Sequence, residues 1–284
     1  MANERTVLIT GATGKQGGAT ARALAGKGFA LRALTRHPES DAAKAIASAT
    51  GAELVRGDLN DAASLKDALK GIWGVFAVQN TWEAGVAGEE EQGKRIATHA
   101  REAGVQHFVY TSVGSADRKT GIPHFENKYR VEDTIRGLDF PSHVILRPVF
   151  FMENLTSPWF LNGDNLYAAM RPDLKLQMIA VSDIGLYGAR AFTHAEKLNG
   201  REIDIAGDAA TMPESAAALS KGLGRSITFV QIPIAEVRKN SEDFALMLEW
   251  FERVGYDVDI PDLASKSGIR PTTLVEWAKG LAKS

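Results

Sequence analysis

The sequence predicts an α/β protein, a doubly wound parallel sheet of the Rossmann type followed by a smaller, mixed α/β lobe. Three observations carry that expectation. Short apolar runs alternate with helix-like stretches through the first half of the 284 residues. The runs are mostly continuous, as suits strands covered on both faces by helices. A glycine-rich stretch, "LITGATGKQGG" at residues 8–18, closes the first run and opens the first helix. Strand, helix, strand repeated in this way implies right-handed crossovers and parallel pairing.

Strands are expected over 7–9, 29–34, 53–55, 75–78, 107–110 and 144–146. Helices are expected between them over 17–27, 40–49, 62–69, 89–103 and 126–136, with alanine, leucine and charge at helical spacing. Several end at a glycine: Gly28, Gly51, Gly71, Gly104 and Gly137. After about residue 150 the rhythm changes, beginning with the aromatic and irregular "FFMENLTSPWF". Further strands are expected at 175–179, 202–206 and 227–232, and helices at 182–195, 213–223, 241–254 and 272–282. The chain divides on this basis into a dinucleotide-binding sheet domain over 1–150 and a substrate-side lobe over 151–284 that shares its core.

Composition narrows the chemistry. The chain is 44% hydrophobic and 24% charged, enough to bury a sizeable core. A net charge of -2 supplies no field that would recruit nucleic acid or an anionic membrane. The absence of cysteine excludes disulfides, thiolate metal sites and a cysteine nucleophile, and the histidines have no metal-ligand spacing, so no metal is expected. No apolar run approaches the roughly 18 residues of a membrane span. "MANERTV" runs into a strand with no signal-type apolar region, which makes the cytoplasm the expected compartment.

Gly11, Gly14 and Gly17 form G-x-x-G-x-x-G at the junction of first strand and first helix. In a nucleotide site Gly11 makes the tight turn, Gly14 admits a pyrophosphate and Gly17 lets the helix pack on the strand. The first-turn amides and the positive end of the helix then hold the phosphates. The alternative is a tight turn with no ligand. At the end of the second strand, where an NAD site places Asp or Glu, this chain has Arg36, 19 residues after Gly17. A guanidinium pairs with a 2′-phosphate, so NADP is expected in preference to NAD, with Lys15 adding charge. Otherwise Arg36 is a solvated strand-end arginine. Asp58 and Leu59, after the third strand, either flank the adenine or belong to an Asx turn and helix cap. Gln79 and Asn80 end the fourth strand and are expected on the ligand side, near the central riboses, unless they are simply polar residues closing a buried strand. Thr111 and Ser112 end the fifth, beside the nicotinamide or simply as a polar terminus.

Conventional short-chain dehydrogenases use Tyr-x-x-x-Lys, where the tyrosine protonates the reacting oxygen and the lysine holds the ribose. Here the stretch reads "HFENK". Lys128 is present and is expected to hold the nicotinamide ribose, unless it is an exposed helix lysine. His124 stands in the tyrosine's place, either as a proton donor or as a capping residue beside Pro123. Tyr129 lies about 100° round the helix from Lys128 and faces elsewhere. After the sixth strand, Pro148, Phe150, Phe151 and Met152 offer an apolar wall for a planar acceptor, with Asn154 as a polar anchor, or else they are core. Trp82 and Trp159 carry the same two readings.

Taken in order, "TGATGKQGG", "LTRHP", "GDLND", "NTWE", "HFENK" and "MENL" resemble the NmrA-like branch of atypical short-chain dehydrogenases. The resemblance covers essentially the whole chain, including "GYDVDIPDLASKSGIRPTTLVEWAKG" near its end. It implies an NADP-binding Rossmann fold with one of two functions. One is a reductase of quinones and other small conjugated acceptors. The other is a non-catalytic NADP(H) sensor acting through a regulatory protein partner. The family's cofactor contacts carry onto Gly11, Thr13, Gly14, Lys15, Gln16 and Gly17, with Arg36 at the 2′-phosphate. Gln79, Asn80, Lys128 and the stretch from Phe151 to Asn154 match later contacts. One departure stands in "EEEQGK", where some NADP-binding sensors have a lysine in place of Glu91.

Overall fold

The computed structural model describes residues 5–283. Its first half runs β1 (Arg5–Ile9), α1 (Lys15–Leu24), β2 (Phe29–Thr35), α2 (Asp41–Thr50), β3 (Glu53–Arg56), α3 (Ala62–Ala68), β4 (Gly74–Ala77), α4 (Thr81–Glu102), β5 (His107–Thr111), α5 (Pro123–Gly137) and β6 (Ser142–Pro148). There follow β7 (Phe150–Phe151), β8 (Leu161–Asn162), β9 (Asn165–Ala168), β10 (Leu176–Ile179), α6 (Val181–Thr193), α7 (Ala195–Leu198) and β11 (Arg201–Ile205). The chain closes with β12 (Asp208–Ala210), α8 (Met212–Leu223), β13 (Thr228–Gln231), α9 (Ile234–Asn240), α10 (Glu242–Arg253), α11 (Ile260–Ser267) and α12 (Leu274–Gly280).

A seven-stranded sheet has the order β11-β6-β5-β4-β1-β2-β3, and the pairs among β1 to β6 are parallel. Chain order reverses between β1 and β4, so the crevice beyond the carboxyl ends of those two strands is the switch point where such sheets take ligands. Both faces of the sheet are covered. On one, Leu8, Val75, Phe108, Tyr110 and Ile145 pack with Leu65 of α3, Ile96 and Ala100 of α4, and Val131 and Ile135 of α5. On the other, α6 lies close to α1: a Cβ on Gly185 would stand 2.6 Å from the Ala19 backbone, and one on Gly188 would stand 2.7 Å from Thr20 Oγ1 and 3.2 Å from Phe76. The predicted doubly wound sheet is the observed one, with β11 added at its edge.

The residues fall into two compact units that interleave along the chain. The first holds the residues up to Asp117, His124–Arg147 and Ile184–Ile203; the second holds Arg118–Pro123, Pro148–Asp183 and the residues from Asp204 on. Within the first, α5 is fixed to β6 by the buried Glu132, whose carboxylate accepts from Arg147 at 2.9 and 2.6 Å and from Arg136 at 2.7 Å. The second unit contains two three-stranded sheets, β12-β10-β7 and β13-β9-β8. Its helices α8 and α12 touch so closely that a Cβ on Gly222 would lie 2.1 Å from the Ala278 carbonyl oxygen.

Helix α4 departs most from expectation. It begins at Thr81, capped by Asn80 Oδ1, which accepts from the Trp82 amide at 3.1 Å. After one turn it breaks at Gly85, with φ 74° and ψ 167°, a conformation open essentially to glycine alone. The sequence does not predict the strands β7, β8, β9 and β12 either, and β9, at four residues, is the longest of them. In the other three, two or three residues are too few to display an alternating pattern.

Candidate functional site

The glycine loop lies at the switch point, and steric limits explain two of its glycines. Gly11 has φ +58°, and a Cβ there would come 2.7 Å from Val78 Cγ1. At Gly17 a Cβ would come 2.4 Å from the carbonyl oxygens of Thr10 and Gly11, so only glycine lets α1 approach the end of β1 this closely. Gly14 donates its amide to Gly11 O at 2.9 Å, closing the turn, and is the N-cap of α1. It offers no side chain, so the first amides of α1 have no side-chain cap. Thr13, Gly14 and Lys15 are exposed and Gln16 is half-buried. Thr10 fastens the loop: its hydroxyl donates to Val78 O at 2.9 Å and accepts from Val78 N at 2.8 Å.

Beyond β2, the half-exposed Arg36 guanidinium pairs with Glu83 of the first turn of α4. The Arg36 carbonyl accepts from Arg56 Nη1 at 2.8 Å, and Arg56 also bonds Glu39 at 2.9 Å. Two guanidiniums and two carboxylates therefore share this corner, an arrangement unforeseen from Arg36 alone. After β3, Asp58 Oδ1 accepts from the Asn60 amide at 2.8 Å, the Asx turn, while Asp61 caps α3. Leu59 is partly buried against the core under α3 and α4.

At the ends of β4 and β5, Gln79, Thr111 and Ser112 are buried and Asn80 is exposed. Gln79 is buried, its amide makes no hydrogen bond among the described residues, and its Oε1 would lie 3.4 Å from a Cβ on Gly93 of α4. Asn80 serves as the α4 cap. Thr111 Oγ1 donates to Gln16 Oε1 at 2.6 Å, joining β5 to the start of α1. The Ser112 hydroxyl is buried without a hydrogen-bond partner among the described residues.

Lys128 and His124 lie four residues apart, on one face of α5. His124 is buried, with its ring 4.8 Å from Phe125 and 5.8 Å from Trp82, whose indole is 61% exposed. Lys128 Nζ donates to Glu89 Oε1 at 2.6 Å. Glu89 is a buried carboxylate that the sequence did not single out. Its Oε2 accepts from Thr81 Oγ1 and, at 3.0 Å, from Asn127 Nδ2. Burial pushes the Glu89 carboxyl up, but the Lys128 charge and the three hydrogen bonds outweigh it and hold the group below the ordinary carboxylate value. Glu91, the position of the family departure, is exposed on the same helix, 3.9 Å from Arg95.

Phe151 and Asn154 belong to the second unit. There Phe150 and Met152 are core: the Phe150 ring lies edge-on to Phe160 at 5.3 Å and to Phe251 at 6.2 Å. Phe151 and Asn154 are half-buried, and the Asn154 carbonyl accepts from Ser157 N at 2.9 Å and Ser157 Oγ at 2.7 Å. Trp159 is largely exposed beside Phe244. A cavity of about 420 Å³ lined by Arg5, Trp73, His107 and Ser142 opens at the amino ends of the strands, the opposite end from the glycine loop. No cluster of three metal-ligating side chains occurs among the described residues.

A parallel sheet covered by helices on both faces, with a glycine turn at its switch point, makes this a doubly wound, Rossmann-like fold. The NmrA-like family model matches residues 3–282, and the chain belongs to that family. It is 30% identical to the NmrA-like family domain-containing oxidoreductase notA' of Aspergillus versicolor over 264 residues, 83% of this chain and 74% of that protein. Several other oxidoreductase relatives are matched over about half their own length, 47% for FrzB of Cladobotryum sp. Among solved structures, the NADPH complex of an NADPH-dependent quinone oxidoreductase from Escherichia coli is 26% identical with a TM-score of 0.78, covering 97% of this chain and 99% of that one. NmrA, a negative transcriptional regulator solved with NAD, shares the fold with a TM-score of 0.81 at 21% identity, covering 99% and 96% of the two chains. No helix among the described residues is long and apolar enough to cross a membrane.

Proposed function

We propose that this chain binds NADP(H) at the glycine loop and acts as an NADPH-dependent reductase of quinones or similar conjugated acceptors. The observation that carries the reading is the start of α1, which a left-handed Gly11 and a side-chain-free Gly14 leave uncapped at the switch point. The residues present fit a dinucleotide. Amides of the first turn, with the positive end of the helix, hold the pyrophosphate. Arg36 would pair with the 2′-phosphate; its exposed pair with Glu83 is worth only about 0–1 kcal/mol and is displaced at little cost. The buried Gln79 amide and Ser112 hydroxyl, which have no hydrogen-bond partner among the described residues, stand at the ends of β4 and β5. Lys128 binds the nicotinamide ribose.

When bound, the reduced nicotinamide supplies a hydride. The chain holds it in place and needs to supply little acid, because a reduced quinone is a stabilised phenolate-like anion that solvent protonates. That matches a sequence with no tyrosine four residues before Lys128. Both the named relative and the quinone oxidoreductase support the reductase reading by similarity. The test is loss of reduced-nicotinamide absorbance with a panel of quinones. Turnover above the protein-free rate is expected, and none across the panel would remove the reductase assignment.

The missing tyrosine and the shared fold of a transcriptional regulator also favour a second reading, an NADP(H) sensor acting through a protein partner. A sensor must bind its partner differently in its cofactor states. Equal capture by the apo, oxidised and reduced forms would dismiss it.

A further inference from the structure

We infer that Glu89 is a positioning residue, holding the Lys128 ammonium in the orientation from which Lys128 binds the nicotinamide ribose. The inference rests on the role given to Lys128 above and names the group that sets it.

A lysine ammonium is a point charge on a flexible four-carbon stem and does not orient itself. Here one of its N–H groups donates to Glu89 Oε1 at 2.6 Å. The carboxylate is in turn fixed at its other oxygen by Thr81 Oγ1 and by Asn127 Nδ2 at 3.0 Å. Asn127 Nδ2 also donates to the Val86 carbonyl at 2.7 Å, so that donor is held as well. Two N–H groups of the ammonium remain to serve ribose hydroxyls.

The backbone of α4 is shaped for this contact. Thr81 and Glu89 are eight residues apart, about 12 Å along a regular helix, out of hydrogen-bonding reach. The break at Gly85 turns the first helical turn so that the Thr81 hydroxyl meets Glu89. The Glu89 side chain is 1% exposed and that of Lys128 is 12%, so the pair is dry at the carboxylate and slightly open on the lysine side. An ion pair buried to this degree is a poor way to fasten α4 to α5, since packed apolar side chains of similar volume do so at least as well. What an apolar pair lacks is a fixed ammonium.

The experiment is calorimetric titration of NADPH into the wild type, Glu89→Gln, Lys128→Met and the double variant, with thermal midpoints recorded for each. Glu89→Gln keeps the shape and removes the charge. It is expected to weaken NADPH about tenfold, and the double variant to bind no worse than Lys128→Met alone, because Glu89 acts only through that lysine. Glu89→Asp is expected to recover part of the loss. A structural role instead lowers the midpoint and leaves affinity additive. Should Glu89→Gln not fold, Thr81→Val, which removes only the orienting hydroxyl, is expected to weaken NADPH about threefold with the same dependence on Lys128. Wild-type affinity in Glu89→Gln, or in Thr81→Val where that stands in, or losses that add in the double variant, would overturn the inference alone. Lys128→Met binding as the wild type removes the role of Lys128, and no binding by the wild type removes the cofactor reading itself.

Discussion

Gly17 illustrates how much a single missing Cβ decides. Any side chain there would drive its Cβ to 2.4 Å from two backbone carbonyl oxygens, which cannot rotate away. Gly17→Ala is therefore expected to cost about 1–3 kcal/mol of stability and to weaken nucleotide binding, because α1 must back away from β1. Chemical denaturation and a nucleotide titration check both. His107, at the start of β5, gives a pH signature. Burial pushes its imidazole down from 6.5 to about 4; a backbone contact with Ala191 opposes this, and His143 and Arg5 add to it. The unfolded chain thus binds a proton that the folded chain refuses. The stability from His107 is complete above 6.5 and is lost as pH falls towards about 4, on the order of 3 kcal/mol. Thermal midpoints measured across that window should slope less in His107→Gln than in the wild type. Glu89 marks the limit of sequence reading at this scale. "EEE" reads as one solvated face, yet adjacent helical residues point about 100° apart. Glu89 is 1% exposed, Glu90 17% and Glu91 73%; Glu90 also reaches α5, at Arg130, and no sequence pattern says which of the three is buried against Lys128.

Among the elements, α1 was legible and the start of α4 was not. The glycine spacing placed α1, whereas "NTWEAGVAG" carries no helical apolar stripe and hid the capped turn before Gly85. That turn carries Thr81 to Glu89, Trp82 to His124 and Glu83 to Arg36. Gly85→Ala, forced into φ 74° and ψ 167°, is expected to cost about 1–3 kcal/mol, measurable by urea unfolding. Glu83→Gln removes the carboxylate that competes for Arg36. NADPH should tighten about three- to tenfold while NADH stays as it was, and equal gains for both would show that Glu83 does not act through the 2′-phosphate. Asp58 also belongs here: its Asx turn is a local bond that the sequence held open beside an adenine contact, and both uses share one carboxylate.

At the scale of the whole molecule, the doubly wound parallel sheet was readable because apolar runs alternate with helical stretches through the first half of the chain. The structure adds the strand order β3-β2-β1-β4-β5-β6 and the crevice at its switch point. The second unit was harder, since its strands are two to four residues long and its aromatic residues serve as core as readily as they could serve a ligand. The two proposed roles, reductase and sensor, both start from the proposed nucleotide binding. The most direct test is calorimetric titration of the wild type and Arg36→Ala with NADPH and with NADH. Micromolar NADPH binding is predicted for the wild type, with a loss of about tenfold or more in Arg36→Ala that NADH does not share. No binding of either nucleotide at millimolar concentration, or the same loss for both, would contradict it.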